Sequence, residues 1–137
     1  MNRKLEREII VLALYSMEIS DNDIYDTVHY ILQHKKIEQQ ATDYIYDSIK
    51  GVRDNKDKID EIISKNLENY RIERLSYIDL AIIRFATYEL LFDNVTPFPI
   101  IINEAIEITK KYSDLGDHKA CAFNNRLLDK IRIALDL

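Results

Sequence analysis

The sequence predicts an all-α protein, a bundle of six or seven helices. Three observations carry this. Apolar residues recur at three- and four-residue spacing along nearly the whole chain, the pattern of amphipathic helices. Only two Gly and two Pro occur in 137 residues, too few for the turns of a β-sandwich. Hydrophobic residues make up 47% of the chain, more than a disordered segment carries. One domain is the default at this length, with about two-thirds of the unfolded surface available for burial.

The elements follow in order. Leu5, Ile9, Leu12, Ala13 and Met17 mark a first helix over 4–19. "SDND" supplies turn and N-cap residues, and Ile24, Val28, Ile31 and Leu32 form the inner stripe of a second helix. "HKKIEQQ" connects to a third, carried by Ala41, Ile45, Ile49 and Val52. Near Asn55 the pattern loosens, then resumes with Ile59, Ile62, Ile63 and Leu67, which predicts a bend or a new helix. A helix from about Ser76 to Phe92 ends at "DNVTPFP", because proline cannot continue it. A further helix spans roughly 100–112, with Ile101, Ala105 and Ile108 on one stripe. A last one, with Asp117 as its expected cap, reaches about Leu135 through Ala122, Leu127 and Ile131.

The segment "IDLAIIRFATYELL", residues 78–91, is apolar on every side. Such a helix is surrounded by other helices, so it is expected to be a spine joining two halves. It nevertheless carries Asp79, Arg84 and Glu89, five residues apart and therefore on three different faces. Ser76 and Asp79 have the spacing of a capping box, with Asp in place of the usual Glu. Asp79 also sits where the helix dipole favours an anion. Arg84 and Glu89 need partners, since an unpaired buried charge costs several kcal/mol.

Composition excludes several function classes. Two glycines cannot build a phosphate-cradling loop. His118 and Cys121 in "HKAC" lie one turn apart, but two ligands fall short of a zinc site, so no metal, no cofactor and no catalytic centre is expected. Lone Cys121 fits a reducing cytoplasm. The N-terminal apolar patch is broken by Glu6, Glu8 and Glu18 and is not expected to be a leader. No apolar run approaches the ~20 residues of a membrane span.

Net charge is −5, which alone argues against nucleic acid. The distribution is uneven. Residues 21–109 hold ten basic and seventeen acidic side chains, whereas residues 110–137 hold six basic and four acidic. Arg3, Lys4 and Arg7 open the chain, and Lys119, Arg126 and Lys130 lie near its end, with Phe123, Asn124 and Asn125 among them. Cations for phosphates beside an aromatic and amides for bases is the chemistry of single-stranded RNA recognition. A solvated face with Phe123 in the core explains the same residues equally well.

Three segments together resemble the NusB family of transcription antitermination factors. "REIIVLALYS" is similar to the family's arginine-led opening helix ending in Ala-Leu-Tyr. "IDLAIIRFATYELL" resembles its Asp-x-Ala-x-Leu-Arg-x-Ala-x-Tyr-Glu-Leu segment. "TPFPIIINEAIEITKKY" is similar to its Pro-x-x-x-x-Ile-Asn-Glu-Ala-x-Glu segment, and "NNRLLDKI" follows where the family has Asn-Gly-x-Leu-Asp-Lys. Order and spacing hold over nearly the whole chain.

The resemblance implies two three-helix subdomains within one domain, 1–70 and 71–137. It implies binding of boxA-type single-stranded RNA from ribosomal RNA leaders, together with NusE, a small-subunit ribosomal protein. The pair would act within an RNA polymerase antitermination complex, and a homodimer is left open. By this resemblance Arg3, Lys4, Arg7, Lys119, Phe123 and Asn125 face RNA, and Glu73 and Asp79 face NusE. Arg3, Lys4, Arg7 and Lys119 would then share one face, with the first and last helices adjoining. The departures fall on that presumed surface. Leu5 and Glu6 interrupt the basic start, Leu12 replaces a family glutamine, "KACAF" is three residues longer than Lys-Phe, and Arg126 replaces a glycine. Two rival readings remain: a NusE-binding scaffold without specific RNA binding, and the helical accessory domain found on some RNA methyltransferases.

Overall fold

The computed structural model describes residues 1–137 and contains seven α-helices and no strand. They are α1 (Arg3–Ile19), α2 (Ile24–His34), α3 (Asp43–Asp54), α4 (Lys56–Asn66), α5 (Tyr77–Phe92), α6 (Phe98–Tyr112) and α7 (Lys119–Ala134), with a 3₁₀ turn at Ile72–Arg74 before α5. The loosened pattern at Asn55 is a true break. Asn55 ends α3 and starts α4, and its side-chain amide donates to the Gly51 carbonyl at 2.8 Å. None of the helices is long and apolar enough to cross a membrane.

Caps set the helix starts. Asn2, Asp23, Thr42 and Ser76 each accept a backbone N–H from the first turn of α1, α2, α3 and α5, satisfying donors that have no partner within the helix. α7 is capped differently from expectation. Its N-cap is His118, in a left-handed conformation without a side-chain bond. Asp114 instead accepts from the N–H groups of Gly116 (2.7 Å) and His118 (3.1 Å), while Asp117 accepts from Lys119 (3.1 Å). Ala122, expected on the apolar stripe, is exposed.

α5 is the spine. It packs against α1, α3, α4, α6 and α7. α1 also holds α2 and α3, and α7 also holds α4 and α6. Half of the 28 residues in the core cluster are isoleucine. A β-branched side chain is a middling helix former, so these helices owe their stability to burial rather than to local propensity. Where α3 crosses α5, Gly51 lies directly beneath the Tyr88 ring, leaving no room for a Cβ.

The three charges of α5 each find a partner on a different side. Arg84 makes a two-point ion pair with Asp60 of α4, both bonds 2.8 Å, and reaches Glu18 of α1 at 3.3 Å. Glu89 pairs with Arg7 of α1. Asp79 accepts from Ser76 at 2.9 Å, from Ser113 at the end of α6 at 2.6 Å and from Asn124 of α7 at 3.0 Å.

Candidate nucleic-acid interface

The start of α1 divides the expected cations sharply. Arg3 and Lys4 are exposed. Arg3 lays its guanidinium 3.5 Å from the centre of the Tyr44 ring and lies 3.7 Å from Glu6. Arg7 is buried, with 6% of its surface exposed. Its Nε and Nη2 donate to the two oxygens of Glu89 at 2.9 and 3.2 Å, and the Tyr44 hydroxyl donates to the same carboxylate at 3.1 Å. Burial opposes the charge on Arg7, but the Glu89 bonds outweigh it and its pKa rises. The Tyr44 hydroxyl is pushed up by burial and by the neighbouring Glu89 carboxylate. Arg7 therefore departs from the expected role. Its guanidinium holds α1 to α5 and is not presented to a phosphate.

One turn beyond Lys4, Glu8 gathers cations that the sequence pattern did not reveal. Lys35 at the end of α2 and Lys111 at the end of α6 both donate to Glu8 Oε1 at 2.8 Å, and the Tyr112 hydroxyl donates to the same oxygen. Burial alone would raise the Glu8 pKa. The bonds from Lys111, Lys35 and Tyr112 outweigh it and hold the carboxyl down at about 2. Lys35 and Lys111 thus share one carboxylate and leave a net positive patch, and exposed Lys4 lies one turn before Glu8 on the same helix face. The only sequence signal was the two lysine doublets, in "HKKIEQQ" and "ITKKY", which sat in segments read as connector and helix end.

The C-terminal residues are split between two sides of α7. Lys119 is exposed in its first turn. Phe123 is half-buried and packs on Tyr70, ring centres 5.5 Å apart. Asn125 is exposed and lines an open groove of about 840 Å³ between α6 and α7, with Asn103, His118 and Arg126. Asn124, between them in sequence, is fully buried and donates to Asp79 and to Thr109 at 3.0 and 3.1 Å. No three His, Cys, Asp or Glu side chains converge as a metal site would require.

The first and last helices, expected to adjoin, do not pack broadly on each other. α7 packs on α4, α5 and α6, and α1 packs on α2, α3 and α5. The spine stands between them. The connection from the α1 patch toward Lys119 runs instead around the end of α6, through Lys111 and the turn at 113–118.

The model of the NusB family matches residues 4–132. The chain belongs to the NusB family. It is 44% identical to transcription antitermination protein NusB of Clostridium botulinum (strain Alaska E43 / Type E3), over 96% of this chain and 98% of that one. It is 37% identical to the NusB protein of Clostridium perfringens (strain SM101 / Type A), over 96% of each. Among solved structures it resembles T. maritima NusB, with a TM-score of 0.84 and 34% identity over 97% of this chain and 92% of that one. It also resembles a crystal structure of antitermination factors NusB and NusE in complex with dsRNA, with a TM-score of 0.83 and 26% identity over 96% of each chain. As a NusB-family member it is a transcription antitermination factor and not an enzyme.

The two residues expected to face NusE differ in setting. Glu73 is exposed on the 3₁₀ turn, 3.8 Å from Arg71. Asp79 is half-buried, and both its carboxylate oxygens are engaged within the fold. In this NusB-family chain Asp79 ties the start of α5 to α6 and α7.

Proposed function

We propose that this chain binds boxA-type leader RNA together with NusE in the cytoplasm and supports antitermination by RNA polymerase, notably on ribosomal RNA operons. The observation that carries the reading is the pair Lys35 and Lys111 held on Glu8, with exposed Arg3 and Lys4 on the preceding turn of α1, on a chain of net charge −5. The likeness to a NusB and NusE complex with dsRNA supports the choice of partners. Phosphates engage this patch and Lys119, while Phe123 and Asn125 supply stacking and amide contacts. NusE docks beside Glu73 and Asp79. Few cations are available, so the free protein binds RNA feebly and basic NusE extends the positive surface. The test is RNA titration with and without NusE at two salt concentrations. The expected result is an affinity 5- to 150-fold higher with NusE, the usual range of such coupling, and reciprocal tightening of NusE by RNA.

One observation favours a second reading. The burial of Arg7 removes a cation from an already thin patch, which suits a NusE-binding scaffold without specific RNA binding. Charge removal at Arg3 and Lys4, and separately at Glu73, distinguishes the two. In the scaffold reading only the second change matters.

A further inference from the structure

We propose that the outer face of α2 is a docking surface for a basic, arginine-bearing segment of a protein partner. It meets the cation patch only at Lys35, the residue after α2. Four residues of α2 turn rings toward solvent: Tyr25, His29, Tyr30 and His34. Tyr25 is 53% and Tyr30 67% exposed, although tyrosine normally covers its apolar ring. Tyr30 stacks on His34, with ring centres 6.1 Å apart and planes 12° apart. Tyr25 packs against Tyr46 of α3 at 5.0 Å. Beside them an open groove of about 320 Å³, lined by His29, Leu32 and Tyr46, separates α2 from the start of α3.

Charge decides the occupant. Residues 21–47 carry six acidic side chains, all exposed, against Lys35 and Lys36 alone, and Lys35 is already held by Glu8. Ring faces attract cations, and nearby carboxylates accept paired N–H groups from a guanidinium. The fold already uses this mode. Lys50 lies 5.2 Å over the Tyr25 ring and donates to its hydroxyl at 2.9 Å, and Arg3 lies over Tyr44. Arginine is favoured over lysine because its planar group stacks and forks at once. The same carboxylates repel a phosphate backbone, so RNA is the wrong occupant.

The experiment is an NMR titration of the full-length chain with two hexapeptides of equal charge, one alternating Arg and Gly, the other Lys and Gly. The arginine peptide is expected to bind more tightly and to shift α2 amides and the rings of Tyr25 and Tyr30. Tyr25→Leu and Tyr30→Leu should each weaken it about two- to fivefold, the scale of an exposed cation–ring contact. Both positions are exposed, and unchanged amide spectra elsewhere confirm that the variants fold. Should either variant lose that spectrum, Asp26→Asn and Asp43→Asn replace it, with a loss of affinity again expected. Equal affinity for the two peptides, shifts centred away from α2, or displacement of the peptide by an oligouridine probe would each overturn the proposal.

Discussion

Arg7 and Glu89 face each other across α1 and α5, joined by two hydrogen bonds of 2.9 and 3.2 Å with only 6% and 3% of their surfaces exposed. The pair is structural. Arg7→Leu leaves a buried carboxylate without its countercharge and should cost about 3–5 kcal/mol. The double change Arg7→Leu with Glu89→Leu removes both charges and should be much milder than either single change. Urea unfolding of the four proteins measures the coupling; additive losses would show that the pair is not a unit.

Glu8 makes stability depend on acid. Its folded pKa, about 2, lies below the ordinary 4.5, so the folded state favours the charged form. The contribution is fully present above about pH 4.5 and is lost as pH falls from there toward 2. Unfolding free energy measured across that window should decline, and Glu8→Gln should flatten the decline.

Asp79→Ala should destabilise by more than one hydrogen bond. The N-cap bond from the Asp79 backbone N–H to Ser76 survives the change, but the Ser76 hydroxyl loses its bond to the carboxylate, worth about 0.5–1.5 kcal/mol. Here Ser113 and the fully buried Asn124 also lose an acceptor, and an unsatisfied buried donor adds about 1–3 kcal/mol. A loss near 2–4 kcal/mol is expected by chemical denaturation. A loss under 0.5 kcal/mol would rule out the hub.

Gly51→Ala should change sign with its neighbour. Alanine is about 1 kcal/mol better in a helix, but its Cβ overlaps the Tyr88 ring, and overpacking typically costs 1–3 kcal/mol. The substitution should therefore destabilise the natural chain and stabilise a Tyr88→Ala background. Melting curves of both pairs show whether the reversal occurs.

The fold was legible because its cause is periodic. Ile24, Val28 and Ile31 recur at helical spacing and all three are buried in α2. The apolar run at 78–91 announced the spine for the same reason. The interface was less legible because it depends on where non-neighbouring elements end. Arg7 reads as one more cation in "RKLER", and only the fold brings Glu89, 82 residues on, against it. Lys35 and Lys111 sit in unremarkable polar stretches, and a single oxygen of Glu8 unites them. Phe123 and Asn125 are near in sequence but diverge on α7, since two residues turn a helix by about 200°.

The three charges of α5 also act as an alignment key. An isoleucine-rich interface offers many arrangements of similar energy, because one isoleucine fits another's place nearly as well. Asp79 meets α6 and α7, Arg84 meets α4 and α1, and Glu89 meets α1 and α3. Sliding α5 by one turn, about 5.4 Å, would carry all three away from their partners into apolar surroundings at once. Rotation about its axis does the same. The charges thus discriminate between the native arrangement and its near copies, a use for buried ionic groups distinct from added stability.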